Sequence, residues 1–325
     1  NAVLELNGDS TYSGNTTVEG GTLRALNTTG SATGTGTTTA QTGTVIDGTG
    51  AVGNLITESG ALVQPGVMSI ATLGTGDFTA DAGSTLELDL EGGAGAGVAS
   101  GHDQLVVAGS VTLNNSDLDL VIGSGFTAPA AGTELILIDN DGAVPVTGEF
   151  NGLPDGSIIT LGINNPTPPP TLIRGQLFEI DYQGGDGNDV SLVVLAETAT
   201  TNIWVDGAGN LKVTDIDGGN STDNLTIRVD STTSEVVITD PDNALGTLIN
   251  GAVQPSVGEI RVPVAEFTGD IMVGTEGEDD SITIGDLGNM VLPAGIMVDG
   301  GDGFDNIRYT GSGSVLAAGG NASFT

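Results

Sequence analysis

The apolar residues of this chain come in short runs with a period of two. Leu86-Glu87-Leu88-Asp89-Leu90, Leu118-Asp119-Leu120, Leu211-Lys212-Val213, Leu225-Thr226-Ile227-Arg228-Val229 and Ile260-Arg261-Val262 each put one row of side chains on an apolar face and the next on a polar one. Most of these runs lie close to Gly, Asn, Asp or Ser, the residues that turn a chain at low cost. Leu105 to Leu113 reads as two short strands around a Gly109-Ser110 corner. Strands of three to five residues joined by corners, repeated over hundreds of residues, favour a solenoid. A β-sandwich would carry longer strands, clearer hairpin turns and more aromatics than the 7 Phe, 3 Tyr and 1 Trp present. High net charge with few aromatics is also a mark of disorder, but 38% hydrophobic residues and a mean hydropathy of +0.14 argue for a folded chain. The 54 glycines among 325 residues suit thin, repetitive β-structure.

Composition also removes whole classes of chemistry. With no Cys there are no disulfides, thiolate metal sites or Cys nucleophiles. His102 is the one histidine, which excludes a multi-histidine centre. Six Lys and Arg against 42 Asp and Glu give a net charge of -36, so a nucleic-acid partner is not expected. No apolar run approaches the ~20 residues of a transmembrane helix. Asn1 does not open a secretory signal, so the expectation is a mature chain or a piece of a longer one.

The clearest internal repeat lies in the last third. Ile216-Asp217-Gly218-Gly219-Asn220-Ser221-Thr222-Asp223-Asn224-Leu225 matches Val298-Asp299-Gly300-Gly301-Asp302-Gly303-Phe304-Asp305-Asn306-Ile307 in residue type at most positions. Gly274 to Ile282 is a looser relative with one extra residue before its apolar position, and the interval from Gly274 to Gly300 suits one solenoid coil. The Pro-rich stretch 164–171 reads as a loop thrown out from a coil. The Thr-rich stretch after Leu195 sets a boundary between domains 1–197 and 198–325.

Two parts of the chain resemble known families. Thr11-Tyr12-Ser13-Gly14-Asn15-Thr16-Thr17-Val18-Glu19-Gly20-Gly21-Thr22-Leu23 resembles the autotransporter-associated β-strand repeat, and His102 to Val107, Leu135 to Gly142 and Phe178 to Val190 resemble later coils of the same passengers. This covers about residues 1–195. It implies a right-handed parallel β-helix, exported and adhesive or architectural; the family's C-terminal membrane barrel is absent from this sequence. Gly300-Gly301-Asp302-Gly303-Phe304-Asp305-Asn306-Ile307-Arg308 resembles the calcium-binding nonapeptide of RTX proteins, which implies a second solenoid or β-roll-like segment. The resemblance implies Ca²⁺ held by hard oxygen ligands, with Asp299, Asp302 and Asp305 at the best copy, Asp217, Asp223, Asp279 and Asp280 at the looser ones, and Asp186 and Asp189 at the similar corner Gly184 to Asp189. In this chain the copies are isolated rather than consecutive. The alternative is an Asp-Gly corner that closes its own turn without metal.

An enzyme needs a constellation that the sequence does not offer. Carboxylates abound, so adjacency such as Asp139 with Asp141 is expected by chance, and Arg24, Arg174, Lys212, Arg228, Arg261 and Arg308 form no cluster. His102 beside Asp103 could be a base with its orienting carboxylate, but neighbours on a strand point to opposite faces. Trp204 alone is no sugar-stacking platform. Asn-x-Ser/Thr sequons such as Asn15-Thr16-Thr17 arise easily in so Asn- and Thr-rich a chain. The sequence therefore reads as an all-β, non-enzymatic extracellular or cell-surface protein, a β-solenoid segment of an adhesin, fibre or sheath. Its expected partners are further copies of itself, since neither end reads as a polar cap, or the rest of a longer chain, with a surface receptor or polysaccharide as target. The alternatives are a calcium-binding module of an S-layer-like or RTX-type secreted protein and, third, a polysaccharide-active β-helix.

Overall fold

The computed structural model describes residues 2–123, 125–164, 172–287, 295–311 and 322–324. It is all-β, with 51% of the chain in strands and 1% helical; the helix is a 3-10 turn at Val264–Glu266. No helix among the described residues is long and apolar enough to cross a membrane. Internal contacts divide the chain into two compact units, Asn1–Gly156 with Glu179–Val194, and Ser157–Phe178 with Leu195–Thr325. The Pro-rich stretch, apart from Asn164, lies outside the described residues.

The first unit is built from short parallel strands that take turns in three sheets. Sheet A contains Val3–Leu6, Gly21–Ala25, Thr44–Gly48, Leu62–Pro65, Thr85–Leu90 and Asp117–Ile122, paired in that order and all parallel. Sheet B runs Thr16–Val18, Thr37–Ala40, Asn54–Thr57, Phe78–Ala80, Val111–Asn114 and Thr147–Glu149, again all parallel. Sheet C pairs Thr72–Thr75, Gln104–Val107 and Glu134–Asn140 in parallel. Glu134–Asn140 then meets Asp189–Thr198 antiparallel. Parallel neighbours cannot be joined by a tight hairpin, so the chain must leave each sheet and return one strand further on.

In-register stacking follows from the period of two, because a slip of one residue would turn every apolar side chain outward. Leu4, Leu23, Ile46, Val63, Leu86 and Leu118 form one column of sheet A. Its middle members are buried. On the opposite face Glu5, Arg24, Asp47, Gln64, Glu87 and Asp119 form a polar column. There Arg24 grips Asp47 through two bonds, Nε to Oδ1 at 2.9 Å and Nη2 to Oδ2 at 2.7 Å, and Gln64 Nε2 donates to Glu87 Oε1 at 2.5 Å. Bidentate geometry makes the Arg24 pair the strongest kind of ion pair on such a surface. In Thr85–Leu90 the three leucines are buried, and Glu87 and Asp89 between them are only half-exposed.

The second unit has two mixed sheets. In sheet D, Leu211–Asp215, Ile271–Gly274, Ile296–Asp299 and Ala322–Phe324 are parallel, while Thr201–Val205 lies antiparallel to Leu211–Asp215. In sheet E, Asn224–Asp230, Ser281–Ile284 and Asn306–Tyr309 are parallel. Glu235–Thr239, Glu259–Pro263 and Val253–Ser256 extend sheet E by antiparallel pairing. Parallel winding throughout this segment is thus not what the chain does. Short turns, such as the one after Asp230 where Ser234 takes a φ of 60°, can join only antiparallel strands. Behind both sheets lies one apolar cluster, including Ile203, Leu225, Ile227, Ile260, Ile271 and Ile282.

Leu88→Asp is expected to cost several kcal/mol, since it places a carboxylate at a position with 0% exposure, whereas Asp89→Asn should stay within about 1 kcal/mol. Urea unfolding of the two variants checks the assignment of faces; equal losses would contradict it.

Candidate functional site

The repeated corners of the second unit stack in three layers, with the Gly274 to Asp280 corner between the two Gly-Gly corners. Ser281 pairs with Asn306 and with Asn224, so the preceding residues Asp223, Asp280 and Asp305 fall at equivalent positions of three successive layers. The fixed point of the repeat is therefore the aspartate. Gly274 pairs with Asp299 rather than with Gly300, so the extra residue read into the middle copy disappears. Glu276 and Glu278 occupy left-handed φ values of 67° and 70° where the next layer has Gly301 and Gly303. Gly301 has no room for a side chain, because a Cβ there would fall 2.0 Å from the Glu276 carbonyl oxygen.

The stacked aspartates accept backbone N–H groups. Asp223 N–H donates to Asp280 Oδ1 at 2.8 Å and Asp280 N–H to Asp305 Oδ1 at 3.1 Å. Phe304 N–H donates to Asp279 Oδ1 at 2.9 Å. Asp299 Oδ1 accepts from Gly301 N–H, Asp217 Oδ1 from Asn220 N–H, and Asp189 Oδ1 from Asn140 N–H at 2.7 Å. Asp302 and Asp186 are exposed on their turns. The structure thus brings Asp223, Asp280 and Asp305 into one column with Asp279 alongside, and spreads the other residues over separate turns. Among the described residues no group of three or more His, Cys, Asp or Glu side chains is placed to hold a metal ion. Asp280 and Asp305 each turn one carboxylate oxygen toward the backbone N–H of the layer before.

Two residues that no repeat motif marks complete the cluster. Asp215 ends a sheet D strand, and Asp240 follows a sheet E strand in the Asp240-Pro241-Asp242-Asn243 turn. Asp240 Oδ1 accepts from the N–H groups of Asp242 and Asn243, and Oδ2 from Asn224 N–H at 2.9 Å. Asp215, Asp223, Asp240 and Asp280 are all buried, and Asp223 Oδ2 and Asp280 Oδ2 have no hydrogen-bond partner. Burial foremost, then the charges of Asp240, Asp215 and Asp280, pushes the Asp223 carboxyl up to about 7. Burial likewise lifts Asp215 to about 6, against the pull of the N–H groups of Asp217 and Gly219.

His102 and Asp103 do not work as a pair. His102 Nε2–H donates to the Ile136 carbonyl at 3.1 Å, and burial pushes the imidazole below its usual value. Asp103 instead accepts from Ala71 N–H at 2.7 Å and Asp89 N–H at 3.0 Å, while burial raises it to about 7. Each side chain ties together separate turns of backbone, and Asp103 does not orient the imidazole as a base would need. Trp204 lies within a sheet D strand opposite Lys212.

No protein-family model, no curated protein and no solved structure matches this chain.

The raised carboxyls give stability a defined pH slope. Between about 4, where an unfolded Asp titrates, and about 7, the folded chain holds protons that the unfolded chain has lost. Stability should therefore fall as pH rises through that window and level off above it. The thermal midpoint is expected to be higher at pH 5 than at pH 8, and Asp223→Asn should raise the pH 8 value and flatten the slope. A variant with the unchanged slope would show that Asp223 does not hold the proton.

Proposed function

We propose that the chain is a non-enzymatic structural module, a β-solenoid segment of an extracellular surface fibre, adhesin or sheath. The observation that carries this reading is the column-by-column parallel register. Sheet A aligns six strands and sheet B six, with corner bonds joining residues 22 to 24 positions apart over the first layers and 25 apart in the second unit. Return to each sheet at such intervals supports a winding chain, and strand columns of this kind suit repetition and length more than a catalytic cleft. The resemblance of residues 1–195 to autotransporter passengers supports the same placement at the cell surface. The best acid-base candidates being engaged with backbone supports a role outside catalysis.

Self-association belongs to this reading. Val3–Leu6 pairs on one side with Gly21–Ala25, and its Val3 and Leu4 are 50% and 58% exposed. Such an edge offers unpaired backbone groups beside apolar side chains, which a further parallel strand from another copy, or from a longer parent chain, would cover.

Sedimentation and negative-stain imaging over a range of concentrations test the proposal. Concentration-dependent filaments or elongated oligomers, reduced by Leu4→Lys, are expected. A compact monomer at all concentrations, indifferent to Leu4→Lys, would overturn the assembly part of the reading.

A further inference from the structure

We propose that two of the three Asn-Gly steps in this chain, Asn7-Gly8 and Asn250-Gly251, are sites of spontaneous deamidation, while the fold holds the third, Asn151-Gly152, unreactive. The reaction needs only water. The glycine backbone nitrogen loses its proton and attacks the side-chain carbonyl carbon of the asparagine. The new C–N bond closes a succinimide ring, and ammonia leaves. Water then adds to one of the two ring carbonyls and breaks its bond to the nitrogen, which leaves aspartate or its isoaspartyl isomer. Glycine favours ring closure because it has no side chain to obstruct the backbone rotation that this step needs.

The chemistry requires an asparagine amide and a glycine N–H that are both unengaged and open to water. Asn250 and Gly251 are exposed at the centre of a turn, in which Ala252 N–H donates to the Ile249 carbonyl at 3.1 Å. Gly251 sits at a φ of 80°. Asn7 and Gly8 are exposed as well, and apart from chain neighbours nothing lies within 4 Å of the place a Gly8 Cβ would take. Among the described residues neither asparagine side chain, and neither glycine N–H, makes a hydrogen bond.

Asn151 has the same successor, and Gly152 takes a similar φ of 70°. Its side chain, however, is held at both ends. Asn151 Nδ2 donates to Asp117 Oδ1 at 3.0 Å, and its Oδ1 accepts from Asn115 Nδ2 at 3.2 Å. Its backbone N–H donates to the Ser116 carbonyl at 2.8 Å. To reach the Gly152 nitrogen the amide must leave two partners that lie 34 and 36 positions earlier in the chain. One dipeptide therefore stands in two situations, and a tertiary contact makes the difference.

The product at Asn250 bears on the second unit. Its turn joins Leu245–Thr247 to Val253–Ser256, which are tied together by buried Gln254, whose Nε2 donates to the Leu245 carbonyl at 2.7 Å. An isoaspartyl linkage puts an extra backbone atom into that connection, and either product adds a negative charge to a chain already at -36.

Incubation of the whole chain at mildly alkaline pH tests this, with each site read by mass spectrometry of proteolytic peptides and by enzymatic methylation of isoaspartate. Asn7 and Asn250 are expected to deamidate at least tenfold faster than Asn151, at rates that rise with pH because the glycine nitrogen must lose its proton. In unfolding urea the three rates should converge. Asn115→Gly with Asp117→Ala removes both partners of Asn151 and should raise its rate toward that of Asn250; glycine suits position 115, where φ is 61°. Comparing the folded with the unfolded unaltered chain is decisive even where the double variant does not fold. Asn151 as fast as the other two in the folded chain, Asn7 or Asn250 intact while the unfolded chain reacts, Asn151 still slow in urea, or a folded double variant with an unchanged Asn151 rate would each overturn the proposal. None of these outcomes depends on whether the chain forms fibres.

Discussion

Where a short strand ends at a corner, its backbone N–H leaves the sheet ladder and must find another acceptor or remain unpaired in a half-buried place. The chain meets this need with Asn and Asp side chains borrowed from the neighbouring layer. Asn15 Oδ1 accepts from Thr37 N–H, Asn27 from Ala51, Asn54 from Asp77 and Asp77 from Ser110. In the second unit Asn210 does the same for Asp270, and Asp280 and Asp305 serve the layer before each of them. Each such bond fixes which corner lies over which. The strands supply the apolar columns, and the corner acceptors help to hold the layers in register.

This constraint also accounts for the composition. A corner acceptor needs a short side chain with an oxygen, which Asn and Asp provide and Lys cannot. Carboxylates used in this way carry their charge into the fold, and with six Lys and Arg in the chain few can be paired. Arg24 with Asp47 and Arg261 with Glu259 are the close pairs among the described residues. The remaining acids depend on N–H donors where they have them. At Asp223 and Asp103 burial outweighs those donors and lifts both carboxyls to about 7.

The faces of the strands were legible in the sequence, because period two is a local property: Leu86, Leu88 and Leu90 are buried as their spacing requires. The likeness of the Gly-Gly corners was legible too, and the structure places them on either side of the looser copy at Gly274. What could not be read was which distant residues a stack collects. Asp240 sits in no Gly-Gly motif and reaches Asn224 and Asp223 only because Glu235–Thr239 folds back antiparallel on Asn224–Asp230. Antiparallel return in turn depends on a short turn near Ser234, whose positive φ is not signalled by a glycine. The aspartates matched the metal motif in type and spacing, yet spacing is silent on whether a carboxylate faces an ion or a backbone N–H. For His102 and Asp103, strand alternation alone argues against a working pair, and their separate backbone partners agree with it.

The most direct test of the corner-acceptor account is residue-resolved amide hydrogen exchange, since it reads the N–H groups themselves. The amides of Ala51, Asp77, Asp223 and Asp280, each bonded to an Asn or Asp oxygen of another layer, should be protected to the same degree as strand amides such as those of Leu86 and Leu88. Replacing Asn27 by Ala should strip protection from Ala51 while leaving distant strands unchanged. Exchange at these corner amides as fast as at exposed turns would contradict the account.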